Sequence, residues 1–346
     1  MVTMEIGLFQ LMPAPAGVSD DAVVARALRE AEEAEARGLD SVWIAEHHLS
    51  DFGLASAPSV YAAAVAQRTR RIGIGYGVAV VPLHHPVRLA EEISWLTHLS
   101  RGRALVGLGA GFSAFEFAGY GVPRDERHDR FEEGSAIVRG LLGGGPFEHR
   151  GRFWTVPPVT LRPRAFAGVA PKFFRASSGV ESLRAAAEAG DPLLLGLKPA
   201  AEIGRTIALY RELRAARGIA ARAIDAEVAE FRVLRRIVVS DDGDEARSLA
   251  RGALAWETRT GRRVHEGIAD AAAEAPPDEI PGGAVGTPDE VAGALGEIEA
   301  LGVGHVIAWT RFGDMSPDAA DRSLDLLAGE VMPRLSNLRP AGSEAG

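Results

Sequence analysis

Residues 71–111 read RIGIGYGVAVVPLHHPVRLAEEISWLTHLSRGRALVGLGAG, and this stretch decides the fold. Arg71 to Val81 is a glycine-rich apolar run with the character of a strand. Pro86 opens a helical pattern that continues to about Leu99. Ala104 to Gly109 is a second strand-like run, ending in Gly-Ala-Gly. Two strands joined by a covering helix make a parallel crossover unit.

The same rhythm extends in both directions. Upstream, Glu5 to Gln10 reads as a short buried strand. Ser19-Asp20 can cap a helix over 21–37, closed by Gly38. Ser41 to Ala45 is the next strand, and Pro58 begins a helix over 58–68. Downstream, Arg124 to Leu142 is helical. Pro171 to Ala176, Pro192 to Leu197, Arg232 to Val239 and His305 to Trp309 read as strands. Helices are expected over 180–189, 199–216, 289–300 and 316–329. Eight strand candidates in succession predict an α/β fold, a variant (β/α)8 TIM barrel, rather than an open sheet. HRGRFWTVPPVTLRP, residues 149–163, breaks the rhythm and predicts an extended excursion or hairpin. With the helical and loop-rich region 243–280, it supplies insertions near the C-terminal mouth. Residues 1–335 are expected to form a single barrel domain, and 336–346 a flexible tail.

The chain has 346 residues, of which 47% are apolar and 25% charged, enough for a large core. Its net charge of −9 argues against a nucleic-acid partner. It has no cysteine, which excludes disulfides, thiolate catalysis and cysteine-ligated metals. A cytoplasmic location is expected, with no secretory leader and no apolar run long enough to span a membrane.

At the end of the second strand stands Glu46-His47-His48. In a barrel that junction faces the active-site mouth. Side chains alternate along extended backbone, so the two histidines should point different ways, and either imidazole can exchange a proton near neutral pH. A hydrogen-bonded strand end explains the residues equally well. Metal ligation is disfavoured, because the spacing is not HExxH and no partner carboxylate is nominated. His84-His85-Pro86 follows the third strand in the same position. Gly73, Gly75 and Gly77 permit close approach by a flat ligand or by tight barrel packing. Gly107-Leu108-Gly109-Ala110-Gly111 is not a dinucleotide fingerprint. The turn Ser177-Ser178-Gly179-Val180-Glu181-Ser182 sits where a helix begins and is a candidate phosphate site. Arg130 could add charge to it, although a solvated helix face accounts for that arginine as well.

In combination these segments resemble the bacterial luciferase-like family of flavin-dependent monooxygenases, over about residues 4–329. The resemblance is carried by GLDSVWIAEHHLSDFG, by IGYGVAVVPLHHPVRLAEEISWLTHLSRGRALVGLGAGF, by RHDRFEEG and by SSGVESLRAAAEAG. GTPDEV and LGVGHVIAW extend it. It implies an enzyme that takes reduced FMN and molecular oxygen through a flavin C4a-(hydro)peroxide to oxidise a small organic substrate. A separate flavin reductase and a homodimer are implied too. His47 takes the proton-handling role, before His48, with Glu46 in support. Gly77 and Val78 match a position that often carries a non-prolyl cis peptide beneath the flavin. Gly109 and Ala110 line the cofactor, and Ala110 departs from the arginine many relatives carry there. Ser178, Gly179, Val180, Glu181, Ser182 and Arg130 match the phosphate-binding region. No metal is implied. The deazaflavin F420, with hydride transfer, is the alternative cofactor class, and a non-catalytic flavin-binding protein is a further alternative. Phe112, Phe115, Trp309, the excursion 147–154 and the region 250–284 are candidates for the substrate side.

Overall fold

The computed structural model describes residues 4–177, 179–265 and 280–337. Eight parallel strands form a closed barrel: Glu5–Gln10, Ser41–Ile44, Gly73–Val80, Ala104–Gly109, Lys172–Ala176, Leu193–Leu195, Arg232–Val239 and His305–Trp309. Closure comes from the seventh strand, which pairs with the eighth along one edge and with Leu194 and Leu195 of the sixth along the other. The eighth in turn pairs with the first, Glu5 opposite His305. Each expected strand is present, because each was a short apolar run bounded by turn residues.

The connecting helices begin where the capping chemistry placed them. Ser19 accepts from the Ala22 amide and starts Asp20–Ala36, while Gly38 leaves it at φ +84°. Proline opens Pro58–Arg68 and Pro86–Leu99. Arg127–Leu142 and Val180–Ala189 cover the fourth and fifth strands. The excursion is an antiparallel hairpin, Phe147–Arg150 with Thr155–Val159. Gly283–Gly286 was read as a separator only. It is a short strand laid parallel on the upper half of the seventh, Gly283 opposite Arg236. Its glycines masked the strand signal. Ala114–Gly119 and Ala221–Ala229 went unread as helices, and Met332–Asn337 carries the last helix past 329 and into the first two residues of the expected tail. Of the expected tail, residues 338–346 lie outside the described residues, as do 266–279 of the region 250–284.

Two packed layers hold the barrel together, and a third cluster lies at its mouth. The larger lies between strands and helices and contains Ile6, Leu8, Val42, Ile74, Val106 and Ile237. The smaller fills the barrel interior with Trp43, Phe174, Leu194 and Ile307. Trp43 is fully buried, meets Phe174 edge-on at 5.3 Å and donates from its indole to Ser41 Oγ at 2.9 Å. Gly75 makes room for it: a Cβ there would stand 2.5 Å from the indole ring. The glycine of the third strand thus serves barrel packing. Among the described residues, no helix is long and apolar enough to cross a membrane.

Candidate active site

Glu46, His47 and His48 leave the second strand at the C-terminal mouth. Glu46 is buried, and its carboxylate collects three donors. His48 Nε2 and His84 Nε2 lie 2.9 and 2.8 Å from Oε1, and the Val80 amide donates to Oε2 at 2.8 Å. Burial alone would push this carboxyl up. The bonds from His48 and His84 outweigh that and hold it down at about 2. His84 is correspondingly raised: burial works against its charged form, but the Glu46 bond and charge win. His48 is buried and closes the group, with Tyr120 Oη 2.9 Å from its Nδ1.

His47 is held by a different carboxylate. Its Nδ1 lies 2.9 Å from Glu116 Oε1, and the same oxygen accepts from the His48 backbone amide at 3.0 Å. A carboxylate oxygen accepts, so the ring hydrogen sits on Nδ1. That leaves Nε2 with its lone pair, and among the described residues it has no hydrogen-bond partner. Phe52 at 4.9 Å and Phe112 at 5.9 Å pack edge-on around the ring and fix its plane. A neutral imidazole held in this way can exchange a proton at Nε2.

Glu116 was not among the residues singled out from the sequence. It lies on Ala114–Gly119, a six-residue helix too short to show periodicity. Ser113 caps that helix by accepting from the Glu116 amide. Ser-x-x-Glu is the signature of a capping box, and it was the available signal. Here the glutamate turns to the two histidines.

Across the mouth stands a second unforeseen pair. Arg236, on the seventh strand, donates to Glu257 of the helix Gly243–Thr260, and both are buried. Arg236 lies 4.8 Å from the Trp309 ring and 5.5 Å from the Phe312 ring. Burial raises the Glu257 carboxyl against the pull of Arg236 and of His47, so the pair sits within electrostatic reach of His47. Phe9 meets Trp309 at 5.3 Å. Phe112 and Trp309 thus stand on this aromatic side of the mouth, and Phe115 is half-buried beside Glu116.

The remaining expected residues lie as follows. The Gly77-Val78 peptide is cis. At Gly109 a Cβ would stand 2.4 Å from Val78 Cγ2, so these two strand ends touch. Ala110 is half-buried and packs on the outer core. Gly179 precedes the helix Val180–Ala189 and offers no side chain to cap it. Val180 and Glu181 are exposed in its first turn, and Ser182 Oγ donates to the Ala176 carbonyl at 3.3 Å. Ser178 lies outside the described residues. Arg130 is committed elsewhere: it donates twice to Glu126 and lies 4.3 Å from the Phe153 ring. Arg127 differs. Burial and the like charge of Arg124 depress it, and among the described residues it has no carboxylate partner. Its neighbour His128 is lowered by burial and by Arg127 while Glu181 pulls the other way, which puts this helix start near the 179–182 turn.

The sequence profile of the luciferase-like monooxygenases matches residues 4–305. The chain belongs to that family. It is a luciferase-like monooxygenase family enzyme in fold and in sequence. It is 26% identical over 325 residues to the oxygenase component of a flavin-dependent trigonelline monooxygenase from Acinetobacter baylyi, covering 88% of this chain and 87% of that protein. The crystal structure of monooxygenase RslO1 from Streptomyces bottropensis superimposes with a TM-score of 0.84 at 29% identity, over 96% of this chain and 99% of that one. An F420-dependent secondary alcohol dehydrogenase in complex with an F420-acetone adduct shares the fold at 19% identity, with a TM-score of 0.76, over 96% and 99% of the two chains.

Proposed function

We propose that this luciferase-like monooxygenase family enzyme uses reduced FMN and molecular oxygen to oxygenate a small organic substrate, and that a separate reductase supplies the flavin. The observation that carries this reading is the His47–Glu116 pair, an oriented imidazole with a free Nε2 at the barrel mouth. The residues present suit a flavin phosphate. The helix Val180–Ala189 begins without a side-chain cap, so its first amides are available to an anion. Arg127 brings an unpaired charge to the adjoining helix start. The flavin, when bound, would supply the redox chemistry with oxygen.

The chain's own residues do the rest. His47 exchanges a proton at Nε2 while Glu116 keeps the hydrogen on Nδ1. Glu46 holds His48 and His84 as a rigid floor beneath the Val80 turn. Phe9, Phe52, Phe112 and Trp309 give the mouth an apolar wall that excludes water. Residues 1–335 act as one barrel domain in this reading.

The deciding experiment is anaerobic titration with reduced FMN and with reduced F420, followed by isotopic oxygen incorporation into candidate organic substrates. Binding of reduced FMN with oxygen insertion is expected. Selective F420 binding with hydride transfer and no inserted oxygen would overturn the reading. A second prediction concerns the phosphate. Val180→Glu places a negative charge at the uncapped helix start and weakens FMN binding by about 1–2 kcal/mol, roughly 5–30-fold. Riboflavin, lacking the phosphate, is unaffected. Equal weakening of both ligands would remove the phosphate from this turn.

The homodimer belongs to the same reading. Trp95 and Val60 stand exposed on the adjoining helices Pro86–Leu99 and Pro58–Arg68, an apolar surface that a second copy would cover. Light scattering should give a dimer for the natural chain and a monomer for Trp95→Glu. A dimer that survives the substitution unchanged places the interface elsewhere.

A further inference from the structure

At the opposite pole of the barrel the strands begin, and four of the eight open with a charged or titratable inward residue. Glu5 opens the first strand, Lys172 the fifth, Arg232 the seventh and His305 the eighth, with Asp40 just ahead of the second. Because side chains alternate, the four strand residues share the inward face of Phe9, Phe174, Leu234 and Ile307, and Asp40 joins them from the loop through its approach to His305. Barrel interiors are normally filled by branched apolar side chains, so a charged floor calls for a reason.

The cations in this layer are engaged in part, and Arg232 Nε is buried without a hydrogen-bond partner. Lys172 donates to Glu230 at 2.6 Å. Arg232 donates to the Glu230 carbonyl at 2.7 Å and lies 4.8 Å from the Phe174 ring. Neither Glu5 nor Asp40 forms an ion pair with a lysine or arginine among the described residues. Instead both face His305. Its Nδ1 lies 3.0 Å from Glu5 Oε2 and 3.9 Å from Asp40 Oδ2. One donor atom from each of the three residues falls within 4.8 Å of the others.

An independent observation points to a ligand. His305 is only 8% exposed, and its Nδ1 is buried without a hydrogen-bond partner. Glu5 is close to that nitrogen but off the direction of a hydrogen bond. Asp40 Oδ1 is likewise buried and unpartnered. Two orphaned polar atoms beside a carboxylate are costly, and few native groups are left so. A cation among them would satisfy all three residues together.

We propose that Glu5, Asp40 and His305 form a binding site for a first-row divalent cation of the zinc class. One imidazole nitrogen and two carboxylate oxygens are a donor set suited to zinc, and the half-exposed Glu5 side chain leaves an entry and an open position for water. The protonation states agree. Burial, with the charges of Arg232 and Lys172, holds His305 down at about 3, so its ring is neutral and keeps a lone pair for the metal. Burial and the Glu5 charge push Asp40 up to about 6, and a cation relieves both. Three carboxylates against two cations leave this layer net negative before the metal arrives. The ion ties the eighth, first and second strands together at the pole opposite the candidate active site, so its role is to clamp the barrel.

Untagged full-length protein, stripped with a chelator, is titrated with zinc chloride near neutral pH by calorimetry, with circular dichroism to confirm folding. One zinc per chain is expected, together with a rise in melting temperature. Glu5→Gln changes a half-exposed side chain and leaves the core intact. It should weaken binding by about 10–100-fold, and His305→Ala should abolish it. No zinc binding tighter than about 100 µM in the natural chain overturns the site. So does binding that is unchanged in both variants, or binding that is lost in His84→Ala and kept in His305→Ala, which would put the metal among the mouth histidines.

Discussion

Under the proposed flavin chemistry, Glu116→Gln lowers turnover by at least about tenfold while changing cofactor affinity by less than about threefold. The argument rests on the tautomer of His47 and the charge beside it. In the natural chain a carboxylate oxygen lies 2.9 Å from Nδ1 and only accepts, so Nδ1 is the protonated nitrogen and Nε2 is left to exchange a proton. Both contacts converge on one oxygen, so a glutamine keeps them only by placing its carbonyl there. The ring and its Nδ1–H tautomer stay, and the negative charge that stabilises the protonated ring is lost. Glu116 is therefore a positioning residue, acting through His47. Two readouts separate this from a packing defect. Nitrogen chemical shifts should report the Nδ1–H tautomer in both proteins, which shows the ring still held. The pH profile of turnover should change as well as its height. Glu116→Ala should add a stability loss of about 1–3 kcal/mol, because it leaves the buried His48 amide without its acceptor. Turnover of Glu116→Gln within threefold of the natural chain would sink the assignment.

The barrel was legible because its signals are local. Each strand was a short apolar run, and Ser19, Pro58 and Pro86 marked helix starts with chemistry that acts within a single turn. The site was legible only where one segment carries it. That Glu46 serves His48 follows from period-two alternation, since positions i and i+2 share a face while i and i+1 do not. Glu46 was expected to support the geometry, and the rings it bonds are those of His48 and His84. Glu116 reaches His47 across 69 positions of sequence from a six-residue helix, and no windowed pattern encodes such a contact. Arg130 illustrates the converse. Glu126 lies four residues earlier on the same helical face, and an i,i+4 pair competes for the guanidinium. Arg236 and Glu257 were hidden by their surroundings, although arginine inside a buried strand is itself a signal that a partner must exist.

Glu46→Gln should cost about 3 kcal/mol at neutral pH. Glu46 gains from ionisation only in the folded state, where its carboxyl is held at about 2 against an ordinary value of 4.5. A folded-state value below the unfolded one gives stability that is present above the unfolded value and lost as pH falls through the folded one. The window is therefore between pH 4.5 and 2, and across it the natural chain should approach its glutamine variant. Denaturant titrations at neutral pH and near pH 3 measure the convergence. His84 supplies the opposite limb. Its folded value is raised by Glu46, so its contribution is full below the ordinary histidine value and is lost as pH rises through the raised one. The two groups are coupled, and Glu46→Gln should also return His84 toward ordinary titration, visible by proton NMR of its ring. A structural role unrelated to charge would lower stability equally at both pH values and leave His84 unmoved. That result would remove Glu46 as the electrostatic anchor of the mouth. The predicted convergence would mean that the same carboxylate stabilises the fold and fixes the floor on which the His47–Glu116 pair stands.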